Sequence, residues 1–168
     1  MKKYSLFNMV NAALFAALIL LTTMFLFHIP VGQGYIHLGD LFVYLSACFL
    51  PTPYAVLAAA VGAGLADALS GYFAWVVPTV IIKSVSTLAF AKTGKLFCKR
   101  NILAVLLGGV ICVGGDYFAE VGLYGNWVTP FVGVPMNALQ TAASGIGFLA
   151  IGYAMDRLKL RDRIERLH

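Results

Sequence analysis

Two charged residues stand inside apolar stretches of this sequence: Asp67 in GAGLADALSGY and Lys83 in VPTVIIK. A charged side chain in the middle of a membrane segment costs about 2.5–3.5 kcal/mol even on the lenient insertion scale. Such residues are therefore usually paired, or they line a cavity. Two interpretations follow: either Asp67 and Lys83 form a buried ion pair that joins two neighbouring segments, or both contact a ligand.

Other polar residues along the chain have side chains suited to holding a small ring. Asp116 and Glu120 are four apart, so on a helix they share one face, about 6 Å apart along the axis. Two acids there suit a ligand with ring N–H, amino or hydroxyl donors. Tyr and Trp rings stack on such a ligand, although they also form interfacial belts, to which we assign Tyr35 and Phe73. The residues predicted to bind a ligand are His37, Asp40, Asp67, Tyr72, Trp75, Lys83, Asp116, Glu120, Tyr124, Asn126, Trp127, Asn137 and Gln140.

The composition is that of an integral membrane protein. Of the 168 residues, 61% are hydrophobic and only 11% are charged, whereas soluble domains average roughly 45–50% apolar and 25% charged residues. Short loops join the apolar stretches and no low-complexity linker divides them. We therefore predict one membrane domain, residues 1–168.

The apolar residues fall into six segments, all predicted to be helices. They run approximately Leu6–Phe27, Asp40–Leu50, Tyr54–Ser70, Val76–Ala91, Ile102–Leu123 and Pro135–Met155. Because a helix needs ~20 residues to cross a bilayer core, the second is short and the third and fourth are marginal. Joining the second and third across Pro51-Thr52-Pro53 would give five crossings instead of six.

The basic residues decide between five and six crossings. They cluster at the start of the chain, in one loop and in the tail: Lys2, Lys3, Lys92, Lys95, Lys99, Arg100, Arg157, Lys159, Arg161, Arg163 and Arg166. Six crossings place all of them on the cytoplasmic side. We predict six transmembrane helices with both termini cytoplasmic, and a basic cytoplasmic tail over residues 156–168 that needs no nucleic-acid partner to explain it.

In that topology, every ionisable residue within the spans lies in the outer half. A proton or ion pathway would need polar steps through both halves. A cup that is open to the outside fits the asymmetry better.

Small residues at four-residue spacing let helices pack closely in lipid. In the third segment, Ala59, Gly62, Ala63 and Ala66 are predicted to pack internally. The stripe on the first segment could equally face a partner; it consists of Ala12, Ala13, Ala16 and Ala17.

Motifs for catalysis, metal binding and phosphate binding are missing from the sequence. It has no H-E-x-x-H or G-x-S-x-G motif, and its three cysteines include no C-x-x-C pair. We expect no enzyme activity, no cofactor and no metal. If transport is driven by ATP, another subunit must supply the ATPase.

Three sequence stretches resemble a known family. Y-I-H-L-G-D before a short second helix, followed by L-A-D-A-L-S-G-Y and V-P-T-V-I-I-K, resembles the substrate-binding S components of energy-coupling factor (ECF) vitamin transporters. Within that family, the chain looks most like the group linked to riboflavin, pyridoxine and hydroxymethylpyrimidine.

The resemblance implies a six-helix protein that binds a vitamin near the extracellular face. It implies that residues 30–39 form a lid and that the alanines of the first helix dock on a membrane coupling (T) subunit carried by two cytoplasmic ATPases. The predicted function is thus a substrate-binding subunit of an ATP-driven uptake system, in the plasma membrane of a bacterial-type cell. We expect pyridoxine or hydroxymethylpyrimidine ahead of riboflavin as ligand.

The alternative is a self-sufficient secondary transporter or channel for a small metabolite, working as a homo-oligomer. The lack of charges in the inner half and of detectable inverted repeats counts against it.

Overall fold

The chain forms a bundle of helices in a computed structural model, which describes residues 6–25, 29–31, 34–90 and 95–159. Six α-helices occur in these ranges: α1 Leu6–Met24, α2 Gly39–Phe49, α3 Thr52–Leu69, α4 Val76–Leu88, α5 Lys99–Tyr124 and α6 Val134–Arg157. Each lies within a few residues of its predicted segment. Phe27 and Ala91, the predicted ends of the first and fourth segments, fall outside the described ranges.

Four helices, α1, α3, α5 and α6, are long and apolar enough to cross a membrane. The 11 residues of α2 span only about 16 Å at 1.5 Å per residue, roughly half of a bilayer core. The helix α4 is also short, but a 3₁₀ turn over Phe73–Trp75 extends it at its start. These features confirm a polytopic all-α membrane protein with a short second helix. The cytoplasmic position of the termini stays a prediction.

A hairpin of two short strands, which we did not predict, precedes α2. Strand β1 (Ile29–Val31) pairs antiparallel with β2 (Gly34–Ile36), with Pro30 opposite Tyr35. The strand β2 leads through His37 and Leu38 directly into α2 and lies next to α6. The hairpin occupies the segment that the family resemblance assigns to a lid.

The helices α1 and α3 pack at very short range because α3 carries small residues. Ala59, Ala63 and Ala66 are buried, and a Cβ atom added to Gly62 would come 2.6 Å from the Ala16 carbonyl oxygen. Internal packing of this stripe is thereby confirmed. Only glycine leaves room for the α1 backbone at this contact.

Gly62→Ala is therefore expected to lower the thermal stability of the detergent-solubilised protein. Overpacking a tight contact typically costs ~1–3 kcal/mol. Gly114→Ala in α5 is the matched control, since a Cβ there meets nothing within 4 Å and alanine is the better helix former. Thermal unfolding of both variants in one detergent measures the difference, and an equal stability of the two would contradict the close α1–α3 contact.

An aromatic cluster closes the bundle one turn beyond the start of α2. The ring of Tyr44 stacks on Phe90 with centroids 4.7 Å apart, and Phe148 meets Phe90 edge-on at 5.5 Å. Tyr44 and Phe148 are fully buried. The three rings therefore fill the interior of the bundle and close the space between the helix ends on its inner side.

The far end of the bundle is held by Asp156 in the last turn of α6. Its carboxylate accepts hydrogen bonds from the backbone N–H groups of Leu96 (3.1 Å) and Phe97 (2.7 Å). The loop that leads into α5 is thereby fixed to the end of α6. Of the predicted tail, residues 156 and 157 belong to α6, and residues 160–168 lie outside the described ranges.

Candidate ligand-binding site

One end of the bundle contains a cavity with about 620 Å³ of empty space, part of it open to solvent. It lies where α1, α3 and α5 end and where α2, α4 and α6 begin. The side chains that line it come from all of these ends except the start of α2, and from the connections between helices. They are Thr23, His37, Ala63, Asp67, Tyr72, Trp75, Thr79, Lys83, Asp116, Glu120, Asn137 and Gln140.

The floor of the cavity is an ion pair between α4 and α2. Lys83 Nζ lies 2.6 Å from Asp40 Oδ1, and the two side chains are only 5% and 1% exposed. The hypothesis that Lys83 pairs with Asp67 was therefore wrong. Asp40 and Asp67 both lie at the depth in the bundle that the sequence predicted. The Lys83 side chain, however, points from α4 towards the first turn of α2, where Asp40 lies behind the cavity wall.

Gln140 of α6 connects this ion pair to the lid segment. Its Nε2 donates to Asp40 Oδ2 at 3.3 Å, and its Oε1 accepts from the backbone N–H of His37 at 3.1 Å. His37 Nδ1 in turn accepts from the N–H of Gly39 at 3.0 Å. This contact holds the His37 ring against the first turn of α2.

The start of α2 fits tightly under the end of α1. A Cβ atom at Gly39 would overlap Thr23 Oγ1 and come within 3.0 Å of His37 Nδ1. Glycine at this position lets the first turn of α2, and with it Asp40, reach the ammonium group of Lys83.

Lys83 also contacts α5. Its Nζ lies 3.6 Å from Cys112 Sγ, which in turn lies 3.3 Å from Ser86 Oγ. An ammonium group has three N–H donors, and these contacts give it one carboxylate and one weak sulfur acceptor. The buried charge of Lys83 is thus compensated mainly by Asp40.

Three carboxylates line the walls above this floor. Asp67 comes from the last turn of α3 and is 5% exposed. Asp116 and Glu120 line the cavity together from one face of α5, and Glu120 Oε1 lies 3.3 Å from where a Cβ at Gly133 would be, just before α6. The cavity is therefore rich in hydrogen-bond acceptors.

Nine of the predicted ligand-binding residues line the cavity: His37, Asp67, Tyr72, Trp75, Lys83, Asp116, Glu120, Asn137 and Gln140. Their contribution to binding stays a prediction. Asp40 lies behind the wall as the partner of Lys83.

Three predicted residues of the α5–α6 connection lie outside the lining and are exposed: Tyr124, Asn126 and Trp127. The side-chain oxygen of Asn126 accepts from the N–H groups of Val128 (2.8 Å) and Thr129 (3.3 Å). The Trp127 carbonyl accepts from the Tyr117 hydroxyl at 2.9 Å. These bonds shape the connection itself.

Sequence reasoning missed Thr23, Ala63 and Thr79 in the lining. Thr23 is the penultimate residue of α1, Ala63 lies four residues before Asp67, and Thr79 lies four residues before Lys83. Ala63 and Thr79 could have been predicted, because residues four apart on a helix share one face and these two precede Asp67 and Lys83 by four residues.

The fold and the cavity define a small polytopic membrane protein with a polar, aromatic pocket at one end of its bundle. Residues 3–157 match the family described as "ECF-type riboflavin transporter, S component", and the chain belongs to that family. It is therefore a substrate-binding subunit for vitamin transport, in a family of transport proteins and not of enzymes.

A relative is known from Pyrococcus woesei, described as "Uncharacterized protein in gap 3'region". It is 32% identical over 122 residues, which cover 70% of this chain and 79% of the relative.

Proposed function

We propose that this chain captures a small heteroaromatic vitamin or vitamin precursor at the outer face of the cell membrane for ATP-driven uptake. The observation that carries the proposal is the cavity, where carboxylates, amides and the rings of Tyr72 and Trp75 converge at one end of the bundle. Rings with a few convergent polar groups are typical of small-molecule sites. The distribution of Lys and Arg supports an outward-facing cavity.

The chemistry of the lining favours pyridoxine or hydroxymethylpyrimidine over riboflavin. The oxygens of a carboxylate accept hydrogen bonds, so a ligand that carries donors suits the acids of the lining, Asp67, Asp116 and Glu120. Pyridoxine carries hydroxyl groups and hydroxymethylpyrimidine carries an amino and a hydroxyl group close to the ring. Riboflavin carries hydroxyl donors too, but on its ribityl chain, whereas the polar edge of its ring offers mainly acceptors.

The family supports the rest of the proposed system. A membrane coupling (T) subunit and two cytoplasmic ATPases would supply the energy, since the sequence contains no phosphate-binding loop. In the bilayer, the S component would present its cavity to the outside and α1 to the coupling subunit.

The test is to identify what the protein carries. After expression in vitamin-rich medium, mass spectrometry of the extracted ligand should find pyridoxine or hydroxymethylpyrimidine, and calorimetry should measure its binding. A flavin spectrum in the purified protein would reject our order of ligands and keep the transport function. No extracted ligand and no binding of any of the three would reject the proposal.

The double variant Asp116→Asn, Glu120→Gln should fold normally and bind that ligand at least about tenfold more weakly. Losing one hydrogen bond to a charged group costs ~1.5–3 kcal/mol, and about 1.4 kcal/mol is a factor of ten in affinity. The amides match the acids in size, so the cavity keeps its shape. Calorimetry on the folded variant provides the measurement, and an unchanged affinity would assign both acids a structural role.

A further inference from the structure

The end of the bundle opposite the cavity carries a cluster of basic side chains. Lys99 and Arg100 open α5, and Arg157 and Lys159 lie at the end of α6 and just after it. All four are exposed, and we call them the basic cluster. Residues 160–168 lie outside the described ranges, and their sequence contains three Arg residues and two acids.

Asp156 brings the two halves of the basic cluster together. Its carboxylate accepts hydrogen bonds from the N–H groups of Leu96 (3.1 Å) and Phe97 (2.7 Å), so the connection before α5 lies against the last turn of α6. Gly152 permits this approach, because a Cβ atom there would come 3.1 Å from Leu96 Cβ. The basic cluster is therefore a single assembled surface of α5 and α6.

The guanidinium group of Arg157 is held beside exposed rings. Its Nη1 donates to the Tyr153 hydroxyl at 2.9 Å, and the Tyr153 ring meets Phe97 edge-on with centroids 5.6 Å apart. Both rings are exposed. Arginine has five N–H donors in a planar fork that matches a phosphate group, and the bond to Tyr153 uses one of them. The fork is thus oriented next to an apolar surface.

An apolar stripe continues from Tyr153 along the outside of α6. Leu139, Ile146 and Tyr153 are seven residues apart, so they lie on one face of the helix, and all three are exposed. The stripe is about 21 Å long at 1.5 Å per residue. Because α5 and α6 are long and apolar enough to cross a membrane, the stripe faces hydrocarbon and the basic cluster lies where the helices leave it. This arrangement matches the acyl chains and the charged headgroup of a phospholipid.

We propose that the basic cluster binds the phosphate group of an anionic phospholipid in the cytoplasmic leaflet, with the acyl chains along the stripe on α6. Lys and Arg clusters at the cytoplasmic ends of transmembrane helices attract anionic headgroups, and bidentate hydrogen bonds from Arg to phosphate are among the strong ones. The leaflet follows from the topology that the basic residues predict. The site goes beyond the proposed function and does not depend on which ligand the cavity holds.

A lipid fits this surface better than the coupling subunit does. The helix proposed to face that subunit, α1, packs mainly on α2 and α3, whereas α6 packs mainly on α5 and α2. The exposed faces of α1 and α6 therefore lie on different sides of the bundle. A subunit bound to α1 would leave the stripe on α6 in contact with lipid.

Native mass spectrometry of the purified full chain in a neutral detergent tests the site. The probes are phosphatidylglycerol, which is anionic, and phosphatidylcholine, which has no net charge, with the same acyl chains and in equal amounts. We expect the protein to retain phosphatidylglycerol at least about tenfold more, since each basic residue near a headgroup contributes about fivefold in affinity. Equal retention of the two lipids would overturn the proposal.

Two variants test the residues of the site. Lys99→Gln with Arg157→Gln should reduce the preference for phosphatidylglycerol to about threefold or less, because two of the four cations are lost. Tyr153→Phe keeps every charge and the ring but removes the hydroxyl that holds Arg157, so the preference should fall about two- to threefold. An unchanged preference in the folded double variant would overturn the proposal.

Asp156→Ala separates an assembled site from an effect of net charge. The variant removes a negative charge, so attraction by net charge alone would raise the preference for phosphatidylglycerol. An assembled site instead predicts a preference at least about threefold weaker, because the connection before α5 loses its two hydrogen bonds to α6. A raised preference would overturn the assembled site. If Asp156→Ala does not fold, Tyr153→Phe and the double variant decide.

Two further measurements separate a lipid from other anionic partners. The soluble probe sn-glycerol 3-phosphate carries the phosphate group without acyl chains and should leave the retained phosphatidylglycerol in place at equal concentration. The lipid should also stay bound when the complete transporter is assembled. Displacement by the soluble probe would indicate a site for soluble anions, and loss of the lipid on assembly would assign the surface to a protein partner. Either result would overturn the lipid site, while the carrier function, which concerns the other end of the bundle, stands.

Discussion

Asp40→Asn is expected to lower the free energy of unfolding by about 3–5 kcal/mol, the typical cost of breaking a buried ion pair. The variant would leave the Lys83 ammonium group buried, with Cys112 and a neutral amide as partners. Lys83→Met should cost a similar amount, because the fully buried Asp40 carboxylate would lose its counter-charge. Unfolding of the solubilised protein, followed by temperature or denaturant, measures both effects.

The double variant Asp40→Asn, Lys83→Met should recover a large part of this loss, since neither charge then remains buried and unpaired. The coupling energy from the double-mutant cycle reports the pair directly. Asp67→Asn serves as the control, and its effect should add to that of Lys83→Met without coupling of similar size. A strong Asp67–Lys83 coupling with a weak Asp40–Lys83 coupling would contradict the observed floor of the cavity.

The ion pair illustrates what the sequence can and cannot predict about this site. The depth of Asp40, Asp67 and Lys83 in the bilayer follows from their distance to the ends of apolar segments. The direction of each side chain around its helix depends on which helices are neighbours. Packing of α2 against α4 is a long-range property, so adjacency along the chain suggested the wrong acid.

The helices themselves were predictable because long apolar runs separated by turn residues have few alternatives in a membrane. The α2 segment was recognisable as short because Pro51 and Pro53 follow it closely. The hairpin was not predictable, since strands of three residues, one of them containing Pro30, show no alternating pattern.

The α5–α6 connection shows a different limit. Trp127 and Asn126 have the composition of a binding loop, but the chain turns there into a 3₁₀ helix over Thr129–Val132. Local hydrogen bonds of Asn126 and Tyr117 fix that turn. Residue type alone does not distinguish a polar group that shapes a loop from one that faces a ligand.

The alanine stripe of α1 divides between two faces of the helix. Ala12 is buried, and Ala16 packs on the core with its carbonyl oxygen next to Gly62 of α3. Ala13 and Ala17 are exposed, beside the exposed Met9, Val10 and Leu14. Since they are four apart, Ala13 and Ala17 form a flat strip that another helix could approach closely. We therefore propose that the coupling subunit docks on this pair, which stays a prediction.

Ala13→Trp is expected to abolish vitamin uptake while leaving the isolated protein folded and its ligand affinity unchanged. In detergent or lipid the introduced indole meets no protein, whereas on docking it would hold the two helices apart. Uptake by cells that express the complete transporter, pull-down of the coupling subunit and calorimetry on the isolated chain measure the three effects.

Ala16→Trp is the matched control on the same helix, three residues away. Its indole would be forced against α3, so thermal stability and ligand affinity should fall together, since overpacking costs ~1–3 kcal/mol and often more for a side chain of this size. The contrast between the two variants separates a docking face from a packing face. Normal uptake by a folded Ala13→Trp variant would reject the docking role of this strip and favour a self-contained transporter.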